Sequence, residues 1–76
     1  MSAEDLVEDA RMSASRAIHF DRQSKLSIAA TYYAEAARFL ELAARQTTDD
    51  KARAWREKAV EYISRKEEID EECTCI

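Results

Sequence analysis

The stretch that decides the fold is AIHFDRQSKLSIAATYYAEAARFLELAA, residues 17–44. It contains two segments in which apolar residues recur every three or four positions, the spacing of an amphipathic helix. The polar segment between them, DRQSK (residues 21–25), has neither Gly nor Pro. Helices joined by so short a break pack antiparallel, so the stretch predicts a helical hairpin.

The composition of the whole chain favours an all-α domain. Its 76 residues allow one domain, and they include no Gly and no Pro, so β-hairpins lack their turn residues. With 46% hydrophobic and 37% charged residues, the chain is expected to fold. A core of this size leaves only about 3–5 kcal/mol of net stability, which argues against an enclosed cofactor or substrate site.

The periodicity extends over three segments. We predict an antiparallel up-down-up three-helix bundle with helices at residues 3–23, 25–45 and 49–71. The domain covers residues 3–72, and a flexible tail follows at residues 73–76.

Polar residues suited to capping precede each helix. Ser2, with Asp5 three positions later, approximates a capping box. Ser24 is expected to cap helix 2, and Thr47 or Thr48 to cap helix 3.

Each helix has an apolar face, and Ala is frequent on all three. The predicted core face of helix 1 consists of Ala3, Leu6, Val7, Ala10, Ala14, Ala17 and Ile18. That of helix 2 consists of Leu26, Ala29, Tyr33, Ala36, Ala37, Leu40, Ala43 and Ala44. That of helix 3 consists of Ala52, Trp55, Ala59, Val60, Tyr62, Ile63 and Ile69. Small side chains leave furrows between helices, and such furrows accept partner segments.

The spacing across the hairpin resembles that of a known family. The residues that carry the pattern are Ala17, Ile18, Asp21, Leu26, Ala29, Tyr33, Ala36 and Leu40. Together with WREKAVEYISRKEEI (residues 55–69), they make the chain similar to the MIT (microtubule interacting and trafficking) domain over about residues 4–70.

The resemblance implies a function as well as a three-helix fold. MIT domains bind the C-terminal tails of ESCRT-III subunits, either as an amphipathic helix between helices 2 and 3 or as an extended segment between helices 1 and 3. We therefore expect a cytoplasmic module that recruits a larger parent protein to endosomal or other membrane-remodelling sites. Any catalytic activity would lie elsewhere in that parent.

The resemblance also implies a binding groove. Ile63 stands where the family has a groove Leu or Ile, and Glu67 where it has a Glu that pairs with a basic residue of the tail. Val60 lies on the same side, since all three fall within about 60° at 100° per residue. The remaining residues of the predicted groove are Ala37, Leu40, Ser64 and Lys66.

Two positions depart from the family pattern. Ser24 replaces the usual Gly of the first turn, and Ser is unfavourable there if φ is positive. Lys66 replaces a small residue within the apolar arc of helix 3. Its stem could extend along the surface, or it could narrow the groove and repel a basic tail; the sequence leaves both interpretations open.

Helix 2 carries a second line of apolar residues, which we call the apolar stripe: Ile28, Tyr32, Phe39 and Leu42. Tyr32 and Phe39 are expected to lie partly in the core, whereas the exposure of Ile28 and Leu42 is left open. An exposed stripe marks a contact surface. The alternative function is thus a helical scaffold or dimerisation domain that self-associates through this stripe.

Other functions find little support in the sequence. The net charge of −4 argues against nucleic acid and anionic membranes as partners, and no apolar run is long enough to cross a bilayer. We expect no cofactor, no metal site and no catalytic residues: His19 is the only His, and Cys73 and Cys75 have no further ligands. Trp55 is expected to anchor the core.

Overall fold

The computed structural model describes residues 2–74, with the side chains of residues 73 and 74 excepted. It contains α1 (Ala3–Arg22), α2 (Leu26–Arg45) and α3 (Asp50–Thr74). The predicted all-α three-helix bundle is confirmed. α3 continues past the predicted end at residue 71, while residues 75–76 of the predicted tail lie outside the described residues.

α2 is the central helix, and its small side chains explain why. α2 packs along both α1 and α3, whereas the backbones of α1 and α3 rarely come close. The buried residues of α2 are Ala29, Ala30, Tyr33, Ala36, Ala37, Leu40, Ala43 and Ala44. Because Ala allows helix axes to approach closely, α2 holds both neighbours. The larger side chains of Val7, Trp55 and Tyr62 pack around the core cluster at the α1–α3 side.

The caps agree with the predictions only for α1. The Ser2 hydroxyl oxygen accepts a hydrogen bond from the Asp5 N–H at 3.2 Å, as predicted. For α3 the prediction of Thr47 or Thr48 is wrong. The carboxylate of Asp49, the last residue before the helix, accepts a hydrogen bond from the Lys51 N–H at 2.9 Å. It thereby bonds a backbone N–H of the first turn, which has no acceptor within the helix.

The turn between α1 and α2 places Ser24 in the left-handed region, with φ 61°. The Ser24 N–H donates to the Asp21 carbonyl at 3.0 Å, and the Lys25 N–H donates to the Phe20 carbonyl at 2.9 Å. This pair of bonds is a Schellman motif, in which Gly is the usual residue at the Ser24 position. The prediction that Ser24 caps α2 is therefore wrong: Ser24 ends α1, and Lys25 precedes α2 without a side-chain cap.

Two apolar residues assigned to core faces are not in the core. Ile18 is 41% exposed and Val60 is 63% exposed. Ile18 borders a shallow hollow with other residues of α1, and Val60 borders one with Glu41 and Arg45 of α2. Helical periodicity gives the direction of a side chain but not the distance to the neighbouring helix.

One polar cluster connects all three helices. Arg65 of α3 donates from Nε and from a terminal guanidinium nitrogen to the two carboxylate oxygens of Asp21 of α1, at 2.9 and 2.7 Å. The Tyr33 hydroxyl of α2 donates to the same carboxylate at 2.9 Å. Arg65 also pairs with Glu68 at 3.2 Å. The three helices are thus joined at the end of the bundle that holds the first turn.

Candidate functional site: the grooves between the helices

The α2–α3 groove exposes part of the predicted set of binding residues. Val60, Ser64 and Glu67 are exposed on α3. Ile63 is half-buried and packs against the core cluster that contains Ala37 and Leu40. An apolar strip of Val60 and Ile63 therefore borders the core, with the Glu67 carboxylate one turn further along.

Ala37 and Leu40 lie beneath this groove. Ala37 is 0% exposed and Leu40 is 5% exposed. They support Ile63 from the core side but offer a docked partner no free surface. Leu40 instead borders a hollow on the opposite side, between α1 and α3.

Lys66 sits at the end of the α2–α3 groove near the start of α2. Its ammonium nitrogen Nζ lies 2.8 Å from Oδ2 of Asp70, and this hydrogen bond raises the pKa of Lys66. Together they border a furrow of about 400 Å³. The other residues lining it are Ser27, Ala30, Thr31, Ala34 and Ile69. Lys66 therefore lines the furrow, and its ammonium group is held by Asp70, which lines the same furrow.

The other end of the same groove is cationic. Glu41, Arg45, Arg56 and Val60 line a hollow of about 340 Å³. Within residues 2–74 neither Arg45 nor Arg56 forms an ion pair. The α2–α3 groove thus has two free arginines at one end and the carboxylates of Glu67 and Asp70 at the other.

A second groove, between α1 and α3, holds residues that were not singled out from the sequence as binding residues. A hollow of about 290 Å³ lies there. Its lining residues are Val7, Ala10, Arg11, Leu40, Ala54, Trp55, Lys58 and Tyr62. Trp55 is half-buried, so it both packs on the core and faces the hollow. Only the tertiary structure brings these residues together, because they come from three helices.

The rim of the α1–α3 groove carries charges of both signs. Lys58 lies 3.1 Å from Glu61, and its ammonium sits 5.5 Å from the centre of the Tyr62 ring. The hydrogen bond to Glu61 raises the pKa of Lys58. The neighbouring hollow, which Trp55 also lines, is bordered by Arg11 and Lys51 and by two carboxylates, those of Glu4 and Glu8.

The residues of the apolar stripe differ in exposure. Ile28 is 45% exposed and Leu42 is 38% exposed, while Tyr32 and Phe39 are half-buried. Tyr32 stacks on Phe20 with 5.7 Å between ring centres. The expectation that Tyr32 and Phe39 belong partly to the core is confirmed, because both pack on core clusters.

The described residues include neither a metal site nor a membrane-spanning helix. Residues 2–74 contain no group of three or more His, Cys, Asp or Glu side chains placed to hold a metal ion. In the same part of the chain, no helix is long and apolar enough to cross a membrane. His19 is exposed and contacts Phe20 edge-on at 5.3 Å.

Comparison with known families agrees with the fold. The model of the MIT (microtubule interacting and transport) domain matches residues 7–71. The chain belongs to the MIT domain family. No curated protein and no solved structure matches it. As an MIT domain the chain is a non-catalytic protein-interaction module, so its grooves are candidate partner sites.

Two positions of the hairpin pattern that resembles the MIT family have a structural role. Asp21 and Tyr33, two positions of that pattern, are hydrogen-bonded to each other, and Arg65 completes the cluster. These positions hold the bundle together. In this MIT domain the residues that could touch a partner lie on other faces.

Proposed function

We propose that this MIT domain binds C-terminal tails of ESCRT-III subunits and thereby recruits a larger parent protein to endosomal or other membrane-remodelling sites in the cytoplasm. The observation that carries the proposal is the strip of exposed Val60 and half-buried Ile63 beside Glu67 in the α2–α3 groove. Apolar residues on one helix face, next to a charge, are suited to an amphipathic helix laid into a groove.

The spacing of this strip supports a helical partner. Val60, Ile63 and Glu67 are separated by three and four positions, so they follow one face of α3 over about 10 Å. A partner helix presents residues at the same spacing. Its apolar side chains would cover Val60 and Ile63, and a basic side chain would pair with Glu67.

The charges at the two ends favour one orientation of the partner. Arg45 and Arg56 attract an acidic end, whereas Glu67 attracts a basic end. Lys66 restricts the groove on the Glu67 side, because its long side chain lines the same furrow as Ala30, Ala34 and Ile69. A docked helix is therefore expected to contact the Val60 end more than the Lys66 end.

An extended tail in the α1–α3 groove is the second candidate mode, and the hollow at Trp55 favours it. That hollow has an apolar floor of Trp55, Tyr62 and Leu40 with Lys58 at its rim. Such a site suits an apolar side chain followed by an acidic one. The two grooves are on different sides of α3, so the modes can be tested separately.

The experiment is an NMR titration of the labelled domain with peptides of the helical and the extended class. A helical peptide is expected to shift signals of Val60, Ile63 and Glu67, and binding should be lost in Val60→Asp and Ile63→Asp. Val60 is 63% exposed, so its substitution leaves the core intact. Ile18→Asp is the matched control, since Ile18 is exposed on another face.

The extended class has its own readout. Such a peptide is expected to shift the Trp55 indole signal. Lys58→Glu should weaken binding of this peptide and leave binding of the helical class unchanged. Failure of both peptide classes to bind the folded domain at millimolar concentration would remove the proposed function.

A further inference from the structure

We propose that the face formed by α1 and α2 is an interface between two copies of this chain, related by a twofold axis. The face comprises the apolar stripe and the α1 residues beside it. It lies away from α3, so it is separate from both grooves considered above. The proposal concerns self-association and does not depend on tail binding.

The exposure of the stripe is the first observation. Ile28 and Leu42 leave 45% and 38% of their surface in water, although they lie on the most buried helix of the domain. Half-buried Tyr32 and Phe39 lie between them. The stripe is about 21 Å long at 1.5 Å per residue. An apolar line of this kind, interrupted only by Glu35, indicates a contact surface on a small protein.

The order of residues along the stripe identifies the occupant. Around Glu35 the apolar residues fall at seven and three positions before it and four and seven positions after it. The stripe is therefore nearly the same in both directions. In an antiparallel pair, Ile28 of one copy faces Leu42 of the other, and Tyr32 faces Phe39. A twofold interface requires this self-complementarity.

The charged residues beside the stripe are also self-complementary in an antiparallel pair. The Arg16 guanidinium lies 6.0 Å from the Tyr32 ring centre, so it borders the stripe. Asp9 is seven positions earlier, on the same side of α1 and about 10 Å closer to the Leu42 end. Within residues 2–74 neither Asp9 nor Arg16 forms an ion pair. In the antiparallel pair, each Asp9 faces the Arg16 of the other copy.

One residue opposes the association. Glu35 is exposed at the centre of the stripe, so the twofold axis places two Glu35 side chains next to each other. Like charges in such a position weaken pairing. The interface is therefore expected to be weak, and a concentration-dependent dimer is the form it should take. Replacing Glu35 with a neutral residue should strengthen it.

The test is sedimentation velocity of the intact chain from micromolar to millimolar concentration. The wild type is expected to dimerise reversibly. Ile28→Asp should raise the dimer dissociation constant by roughly tenfold or more, because each of the two copies loses an apolar side chain that the interface buries. Ile18→Asp is the matched control, with similar exposure on another face, and should leave it unchanged. Glu35→Gln should lower it.

Charge reversal provides a second, independent measurement. Asp9→Arg and Arg16→Asp should each weaken the dimer, because each places like charges together across the axis. The double variant restores opposite charges and should restore the dimer. Circular dichroism of each variant shows that it remains folded. This rescue would not occur if the substitutions acted only within one chain.

Three results would overturn the proposal. One is a strictly monomeric chain at millimolar concentration. Another is a dimer that Ile28→Asp and the single charge reversals leave unchanged. The third is that the stripe becomes protected from solvent only when a different protein is added, because the occupant is then not a second copy of this chain.

Discussion

Arg65 on α3 holds Asp21 on α1 through two hydrogen bonds of 2.9 and 2.7 Å, across a chain separation of 44 residues. Tyr33 of α2 donates to the same carboxylate. α1 and α3 make few close backbone approaches, so this pair is a principal direct connection between them. The Asp21 carboxylate bonds both the Arg65 guanidinium and the Tyr33 hydroxyl, so it fixes the relative position of the three helices.

Breaking this cluster should destabilise the bundle. Asp21→Ala leaves the Arg65 guanidinium and the Tyr33 hydroxyl without their partner. We expect a loss of about 1–2 kcal/mol in the free energy of unfolding, because the cluster is only partly buried. Urea denaturation measures it. Glu8→Ala is the control: Glu8 forms an exposed ion pair at 3.8 Å, and a comparable loss there would contradict the assignment.

The same cluster should make stability fall in acid. The hydrogen bond from Arg65 holds the pKa of Asp21 below its usual value of 3.8, despite partial burial. A depressed folded-state pKa contributes stability that is fully present above pH 3.8 and is lost as the pH falls through the folded value. Urea denaturation from neutral pH downward should show this loss, and Asp21→Asn should remove that part of it.

At high pH the dependence should come from Tyr33. Burial, followed by the bond to Asp21, raises the pKa of Tyr33 from 10.0 to about 12. The neutral phenol is favoured in the folded state, so this stability is present below pH 10 and is lost as the pH rises towards 12. Tyr33→Phe should lack this loss in alkaline denaturation. A wild-type phenol that titrates near pH 10 by ultraviolet absorbance would contradict the burial.

Replacing Ser24 with Gly should stabilise the domain. Ser24 has a positive φ of 61°, which costs a residue with a Cβ atom more than it costs Gly. Gly also gains freedom in the unfolded chain, so the net gain is at most about 1 kcal/mol. That corresponds to a rise in Tm of roughly 4–8 °C for a domain of this size. Ser24→Ala keeps the Cβ atom and should give no such rise in a thermal scan.

Shortening Lys66 should change binding in the α2–α3 groove. Lys66→Ala shortens a side chain that lines the furrow together with Ala30, Ala34 and Ile69, and so widens the furrow. A helical tail is then expected to bind several-fold more tightly by calorimetry. Asp70→Asn, which releases the Lys66 ammonium but keeps the stem, is the control. A weaker affinity for Lys66→Ala would mean that Lys66 contacts the tail favourably.

Much of the fold could be predicted because the signals are local. Apolar spacing gave three helices, and the hydrogen bond from the Asp5 N–H to Ser2 confirmed one cap. Local signals were ambiguous where several polar residues adjoin: Asp49, and not Thr47 or Thr48, caps α3. The candidate site was predicted less well. Ala37 and Leu40 have groove spacing but are buried, since spacing does not specify depth.

The sequence by itself determined that this chain forms three helices, because apolar periodicity acts within each helix. Its residue pattern also carried the resemblance to the MIT family, which the family model confirms. Tertiary structure alone decided which side chains meet or stay exposed. It paired Asp21 with Arg65, separated α1 from α3 around Trp55, and left Ile28 and Leu42 in water. Each of these depends on the distance between helices, which no local pattern encodes.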